Sequence, residues 1–242
     1  ALTQGCRALA AFAAGQHDRA RHSPDATERE TAQALYEFLV PLVKGYSTEM
    51  VLEVAQLGVQ VHGGMGFIEE TGAAQYLRDA KILAIYEGTT AIQANDLLGR
   101  KTLRDQGALA RSVAAQVEQT VQHLQASGDV GAARIALQLQ AAATAFTQSV
   151  DYMCSTATAA PNAAYAGSVP LLMLAGNALA GWQMAQSWLA AQRLPTEQAA
   201  FALQKKITCQ FYAEHILPRC LAQAQAIAQG AGSCMALAPQ DF

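Results

Sequence analysis

The chain is expected to be all-α, with two antiparallel helical bundles one after the other. Apolar residues recur at helical intervals through most of its 242 residues. No stretch shows the apolar–polar alternation of period two that marks a half-buried strand. Turn-forming clusters such as Ser127-Gly-Asp129 and Arg193-Leu-Pro195 fall between the apolar runs and not within them. A chain of this length suits one large or two ordinary domains. The polar stretch 102–107 marks a change of composition, so the expected division is residues 1–103 and 104–242.

The elements follow in order. Leu2, Cys6, Leu9 and Ala13 lie on one helical face, which predicts a helix over 2–19 whose start has no capping side chain. A polar turn at His22 to Ala26 separates it from a long run carried by Leu35, Leu39, Leu42, Tyr46, Met50, Val54 and Leu57. Pro41 interrupts that run and is expected to kink it or begin a new segment, because proline lacks the helical N–H and crowds the preceding turn. Shorter helices are predicted over 72–81 and 90–101. Four segments then form the second bundle, outlined by Leu109 to Leu124, Ile135 to Met153, Leu172 to Leu189 and Phe201 to Leu221, with Pro218 a kink in the last. Each has an apolar stripe that needs a partner, and antiparallel packing supplies it. From Gly230 onward no helical pattern is legible, and a loosely held tail is expected.

The segment from Gln60 to Gln93 carries the chemistry. Gly63, Gly64 and Gly66 remove side chains where a backbone must approach a ligand or take positive φ. Glu87 follows, between Tyr86 and Gly88, just ahead of a helix start at which Thr90 and Gln93 have capping-box spacing. The glycine turn and Glu87 are expected together at one end of the first bundle, with helix N–H groups near the carboxylate. Taken alone, a Glu before Gly-Thr-Thr is most often an exposed charge at a helix start, and a Gly-Gly pair most often a loop. His62 has no companions at metal-binding spacing and reads as a hydrogen-bonded structural histidine. Arg78 and Asp79 read as a solvated or subunit-bridging pair. His123 and His215 have no acid or nucleophile near them in sequence and are assigned no chemistry.

Three motifs in order change that weighting: Gln60-Val-His-Gly-Gly-Met-Gly66, Arg78-Asp-Ala-Lys81 and Ile85-Tyr-Glu-Gly-Thr89. Over residues 2–101 the chain resembles the C-terminal helical domain of the acyl-CoA dehydrogenase family, incomplete at its N-terminus. The tail, including Lys205 to Leu217, resembles the extra helical domain of a longer bacterial subgroup. The resemblance implies an FAD-dependent α,β-dehydrogenation of an acyl-CoA thioester, in which Glu87 removes the α-proton and the β-hydrogen leaves as hydride to flavin. It also implies that Tyr86 and Gly88 contact substrate, that the main-chain N–H of Glu87 holds the thioester oxygen, and that Gln60, Val61, His62, Gly63, Gly64 and Thr89 contact FAD. The resemblance further implies that the Gln60 to Gly64 turn contacts the ADP part of a flavin bound mainly by the neighbouring subunit. Many relatives have Gln where this chain has Ala91. A free carboxylate is too weak a base to deprotonate carbon unaided, so Ile85, Tyr86 and substrate are expected to wall Glu87 in.

Composition narrows the partners. Charged residues are only 14% of the chain against 52% hydrophobic, which suggests helix faces buried against partners or against missing parts of the protein, and a homo-oligomer, dimer or tetramer, is expected. A net charge of −3 supplies no basic field for nucleic acid or anionic membrane. Cys6, Cys154, Cys209, Cys220 and Cys234 are odd in number and widely spaced, so neither a disulfide framework nor a metal site is indicated, and a reducing cytoplasm fits. The longest apolar run, Val169 to Ala191, is broken by Asn177, Gln183, Gln186 and Ser187 and is not a membrane span. No signal-peptide pattern is present. The chain is read as the C-terminal part of a larger enzyme that passes electrons to an acceptor such as an electron-transfer flavoprotein, the part alone being inactive. The competing reading is a non-catalytic helical oligomerisation or assembly module in which Glu87 is merely structural.

Overall fold

The computed structural model describes residues 1–234 and 236–241, and among them every regular element is a helix. Helix α1 (Leu2–His22) buries Leu2, Leu9, Ala13 and Gln16. It turns at Ser23 into α2 (Ala26–Pro41), whose N-cap Asp25 accepts the Thr27 N–H at 2.9 Å. Arg19, Ser23 and Glu28 tie the turn, and the Glu28 carboxyl is held below the usual carboxylate range by those two partners. Pro41 does not end the run. The chain continues through a π-turn, Leu42–Tyr46, into α3 (Ser47–Val61), with the Ser47 N–H donating five residues back to Leu42.

After α3 come two 3₁₀ turns, Gly63–Gly66 and Glu69–Thr71, then α4 (Ala73–Leu83) packed back along α3. Helix α5 (Thr90–Leu98) runs into a second π-turn, Gly99–Leu103. The next helices are α6 (Ala108–Ala126) and α7 (Val130–Ala159), the latter capped by Asp129, which accepts from the Ala132 N–H. Pro161 opens a short α8 (Pro161–Ala166) where the sequence shows only a break, proline being well suited to a first helical position. Helix α9 (Ser168–Ala191) is followed by α10 (Ala199–His215) and α11 (Arg219–Gln229). The fourth expected segment is therefore two helices. Pro218, which has no N–H to donate, separates them, and the Leu217 N–H bonds five residues back to the Tyr212 carbonyl. The expected loose tail holds a helical turn, α12 (Ala231–Cys234), and a 3₁₀ turn, Pro239–Asp241, while Met235 and Phe242 lie outside the described residues.

Helix α9 is the central post, in contact with α1, α5, α7, α10, α11 and the first π-turn. No helix among the described residues is long and apolar enough to cross a membrane. Asn177 shows why α9 carries polar residues. It is buried to 1% exposure, accepts the Tyr46 hydroxyl at 2.9 Å and donates to Gln223. Its neighbour Gly176 lets the Tyr46 ring lie on the backbone, since a Cβ there would sit 2.1 Å from Tyr46 Cγ. Farther along α9, Trp182 donates to Thr120 of α6 at 2.8 Å. One continuous apolar core runs from Leu2 of α1 to Ile227 of α11.

Candidate active site

Glu87 lies in a six-residue turn between α4 and α5. The Ile85 and Tyr86 N–H groups both donate to the Ile82 carbonyl, and the Thr90 N–H reaches back to Ala84 at 3.2 Å. These bonds spend the turn's length quickly, and the backbone takes φ of +49° at Glu87 and +94° at Gly88. Glycine adopts such angles freely. A glutamate does so at a cost of about 1–2 kcal/mol. The Glu87 side chain is exposed, and among the described residues neither its carboxylate nor the main-chain N–H groups of Glu87 and Gly88 have a partner. The turn thus presents a carboxylate and unpaired amide donors side by side.

One expectation about this turn is corrected. The cap of α5 is Thr89, whose hydroxyl accepts the Ile92 N–H at 3.3 Å. The Thr90 hydroxyl instead donates to Glu49 of α3, and the Gln93 side chain packs beside Gly88. The first-turn N–H groups of Thr90, Ile92 and Gln93 have acceptors, and that of Ala91 has none among the described residues. Ile85 and Tyr86, expected to wall Glu87 in together with substrate, are themselves 51% and 45% exposed. Two residues that no motif marked reach the turn. Lys44 of the π-turn donates to the Leu83 carbonyl at 2.5 Å from 39 positions away, with Glu49 at the opposite stem. Neither sits in a recognisable pattern, and only the fold brings them there.

The glycine turn is at the other end of α3, not beside Glu87. Lys44 and Glu49 hold the Glu87 turn at the start of this 15-residue helix, and Gly63 follows its end, about 21 Å away. Gly63 has φ of +59°, and Gly64 has nothing within 4 Å of where a Cβ would be, so bare backbone faces open space at both. Gly66 serves the fold, because a Cβ there would lie 2.2 Å from the Val59 carbonyl oxygen. Gln60, Val61 and His62 close the end of α3 and are exposed, and His62 Nδ1 lies 2.8 Å from the Gly58 carbonyl, the structural role expected of it. Arg78 pairs with Glu69 through two contacts of 2.9 and 3.0 Å, not with Asp79. An apolar groove of about 470 Å³ runs beside His62 between α3 and α4, lined by Val51, Val54, Gly58 and Tyr76 among others. A larger groove among His123, Gln186 and Arg193 contains none of these residues. Among the described residues no cluster of His, Cys, Asp and Glu is placed to hold a metal.

Comparison with known proteins gives this arrangement its class. Residues 2–102 match the family described as "Acyl-CoA dehydrogenase, C-terminal domain", and residues 113–238 that described as "Acetyl-CoA dehydrogenase C-terminal like". The chain belongs to the acyl-CoA dehydrogenase family. It is 54% identical, over 92% of its own length, to the 3-methylmercaptopropionyl-CoA dehydrogenase of Ruegeria pomeroyi. It is 31% identical, over 90% of its length, to a broad-specificity linear acyl-CoA dehydrogenase of Mycobacterium tuberculosis. The chain spans 38% and 37% of those two relatives. The fold also matches a crystal structure of an acyl-CoA dehydrogenase from Bacillus anthracis complexed with FAD, with a TM-score of 0.65 at 20% identity, over 99% of this chain and 41% of that one.

Proposed function

We propose that this chain carries the base and part of the flavin site of an acyl-CoA dehydrogenase that oxidises the α,β bond of an acyl-CoA thioester. The observation that carries the reading is the left-handed turn at Glu87, a strained backbone with a carboxylate and two unpartnered N–H groups at its tip. Glu87 takes the α-proton of the bound thioester. Its own N–H donates to the thioester oxygen, where negative charge develops as that proton leaves. Tyr86 and Gly88 flank the acyl group. When bound, FAD supplies the acceptor for the hydride that leaves the β-carbon as the double bond forms. The open backbone at Gly63 and Gly64, with Gln60, Val61 and His62 beside it, suits the ADP half of the FAD of a neighbouring site, while the Thr89 hydroxyl contacts the flavin at the Glu87 end.

The separation of about 21 Å along α3 fits a flavin shared between subunits, each α3–α4 hairpin serving one site with its Glu87 end and a second with its glycine end. Val61, Phe67 and Tyr76 on this hairpin are 86%, 83% and 76% exposed, an apolar face that a homo-oligomer would cover. We assign the site to residues 1–103 and the buttress behind it to 104–242, in a cytoplasmic enzyme that hands its electrons to an acceptor such as an electron-transfer flavoprotein. An assembly module alone accounts for the exposed hairpin but gives no reason for a strained glutamate where glycine would be relaxed.

In the flavin-loaded protein that contains these residues, Glu87→Gln is expected to slow acyl-CoA-dependent dye reduction by about 10²- to 10⁴-fold with flavin retained. A normal rate would overturn the base assignment. Residues 1–242 alone are expected to leave acyl-CoA unoxidised, because on this reading they carry only part of the flavin site. Turnover by the purified chain would contradict this.

A further inference from the structure

Among the described residues the Glu87 side chain has no hydrogen-bond partner, so the position of the strained turn has to come largely from its stems. The stem at the end of α4 finishes in the Leu83 carbonyl, one of the acceptors a helix end leaves unpaired. Lys44 Nζ donates to it at 2.5 Å, and the same ammonium lies 5.5 Å from the centre of the Tyr86 ring. One cation thus grips the last turn of α4 and the residue directly before Glu87, where a positive charge is favoured both by the helix end and by the aromatic face. At the other stem the Thr90 hydroxyl donates to Glu49. Lys44 and Glu49 come from adjacent turns, the π-turn and the first turn of α3.

The π-turn is itself held from behind. Tyr46 stands two residues on from Lys44, on the opposite side of the π-turn, and is fully buried. Its hydroxyl donates to Asn177 of α9 and lies 3.0 Å from that of Tyr212 of α10, while the ring rests on Gly176. Between them, a Cβ on Gly45 would come within 2.7 Å of Leu172 Cδ2 and 2.9 Å of Gln93 Cβ. The turn cannot rotate without opening the core on that side.

We propose that Lys44 is a positioning residue for the Glu87 turn, aimed by a π-turn that α9 and α10 grip through Tyr46. The second bundle then acts on the reaction without touching substrate. This rests on Glu87 being the base.

The test uses the flavin-loaded, full-length protein. Lys44→Met is expected to lower kcat about 10- to 100-fold, the scale on which a displacement of about 1 Å slows a positioned reaction, with KM changed by less than about threefold. Flavin content and melting temperature are expected to match the parent. Lys44→Arg is expected to recover most of the rate, since a guanidinium donates to the carbonyl and stacks on the ring. A Lys44→Met enzyme within about twofold of the parent in kcat, or a Lys44→Arg enzyme as slow as Lys44→Met, would overturn the proposal. If Lys44→Met fails to fold or load flavin, Thr90→Val decides, with an expected kcat loss of about fivefold and a parental rate counting against. A parental rate in Glu87→Gln would remove the base and this proposal together. A parental rate in Lys44→Met beside an inactive Glu87→Gln would remove this proposal alone.

Discussion

Glu87 sits where a glycine would be more comfortable, and the tension separates stability from function at a single position. Glu87→Gly relieves the steric cost of φ +49° and is expected to raise stability by about 1 kcal/mol while abolishing dehydrogenation. Thermal melting of the two forms, read beside acyl-CoA-dependent dye reduction, checks both halves. A Glu87→Gly protein that melts lower than its parent would show that the turn is held by contacts of the glutamate itself. The residue type and its neighbours were legible from Ile85-Tyr-Glu-Gly-Thr89. The left-handed backbone was not, because a short turn reaches that angle only when both its stems are fixed in space. Lys44 was illegible for the same reason, since a lysine 39 positions before its acceptor carries no local signature.

The α3–α4 hairpin shows what one element does with three glycines that look alike in sequence. Gly64 faces open space at ordinary φ, so Gly64→Ala is expected to leave stability unchanged and to weaken flavin retention, measurable as a lower ratio of flavin to protein absorbance. Gly66 lies against the Val59 carbonyl, so Gly66→Ala is expected to cost about 1–3 kcal/mol, visible as a lower melting temperature. If the two variants exchanged phenotypes, the assignment of one to ligand and the other to packing would be reversed. Periodicity located most helices, and Pro41 and Pro218 were visible as interruptions. Their outcomes differ because Pro41 runs on into a turn that the core grips on both sides, whereas Pro218 follows Ile216 and Leu217, which bury where two helices meet.

Across the whole molecule, buried acids concentrate around α9. Burial raises the Cys209 thiol from 9.0 to about 11 and Cys220 to about 12, and lifts Tyr46 and Tyr212 well above the ordinary tyrosine value. Groups whose pKa is raised by folding contribute stability that is complete below their unfolded values and lost as pH climbs through the folded ones. Melting temperature is therefore expected to be level near neutrality and to fall progressively above about pH 9. A melting temperature unchanged at alkaline pH would mean that these groups are hydrated in the native state. Arg219 bridges α11 to Glu53 of α3 at 2.7 and 2.8 Å, so part of the core's boundary is also an ion pair between the two bundles.

The amino-acid sequence by itself determined the helical class, the order of most helices, the family motifs and the carboxylate at position 87, because each is written in residues near one another along the chain. Only the tertiary structure decided that the glycine turn and Glu87 stand at opposite ends of α3, that Lys44 and Glu49 hold the stems of the turn, and that Tyr46 joins them to the second bundle. Those relations depend on which helix faces meet once apolar surface is buried, a choice made by the whole core at once and by no single segment.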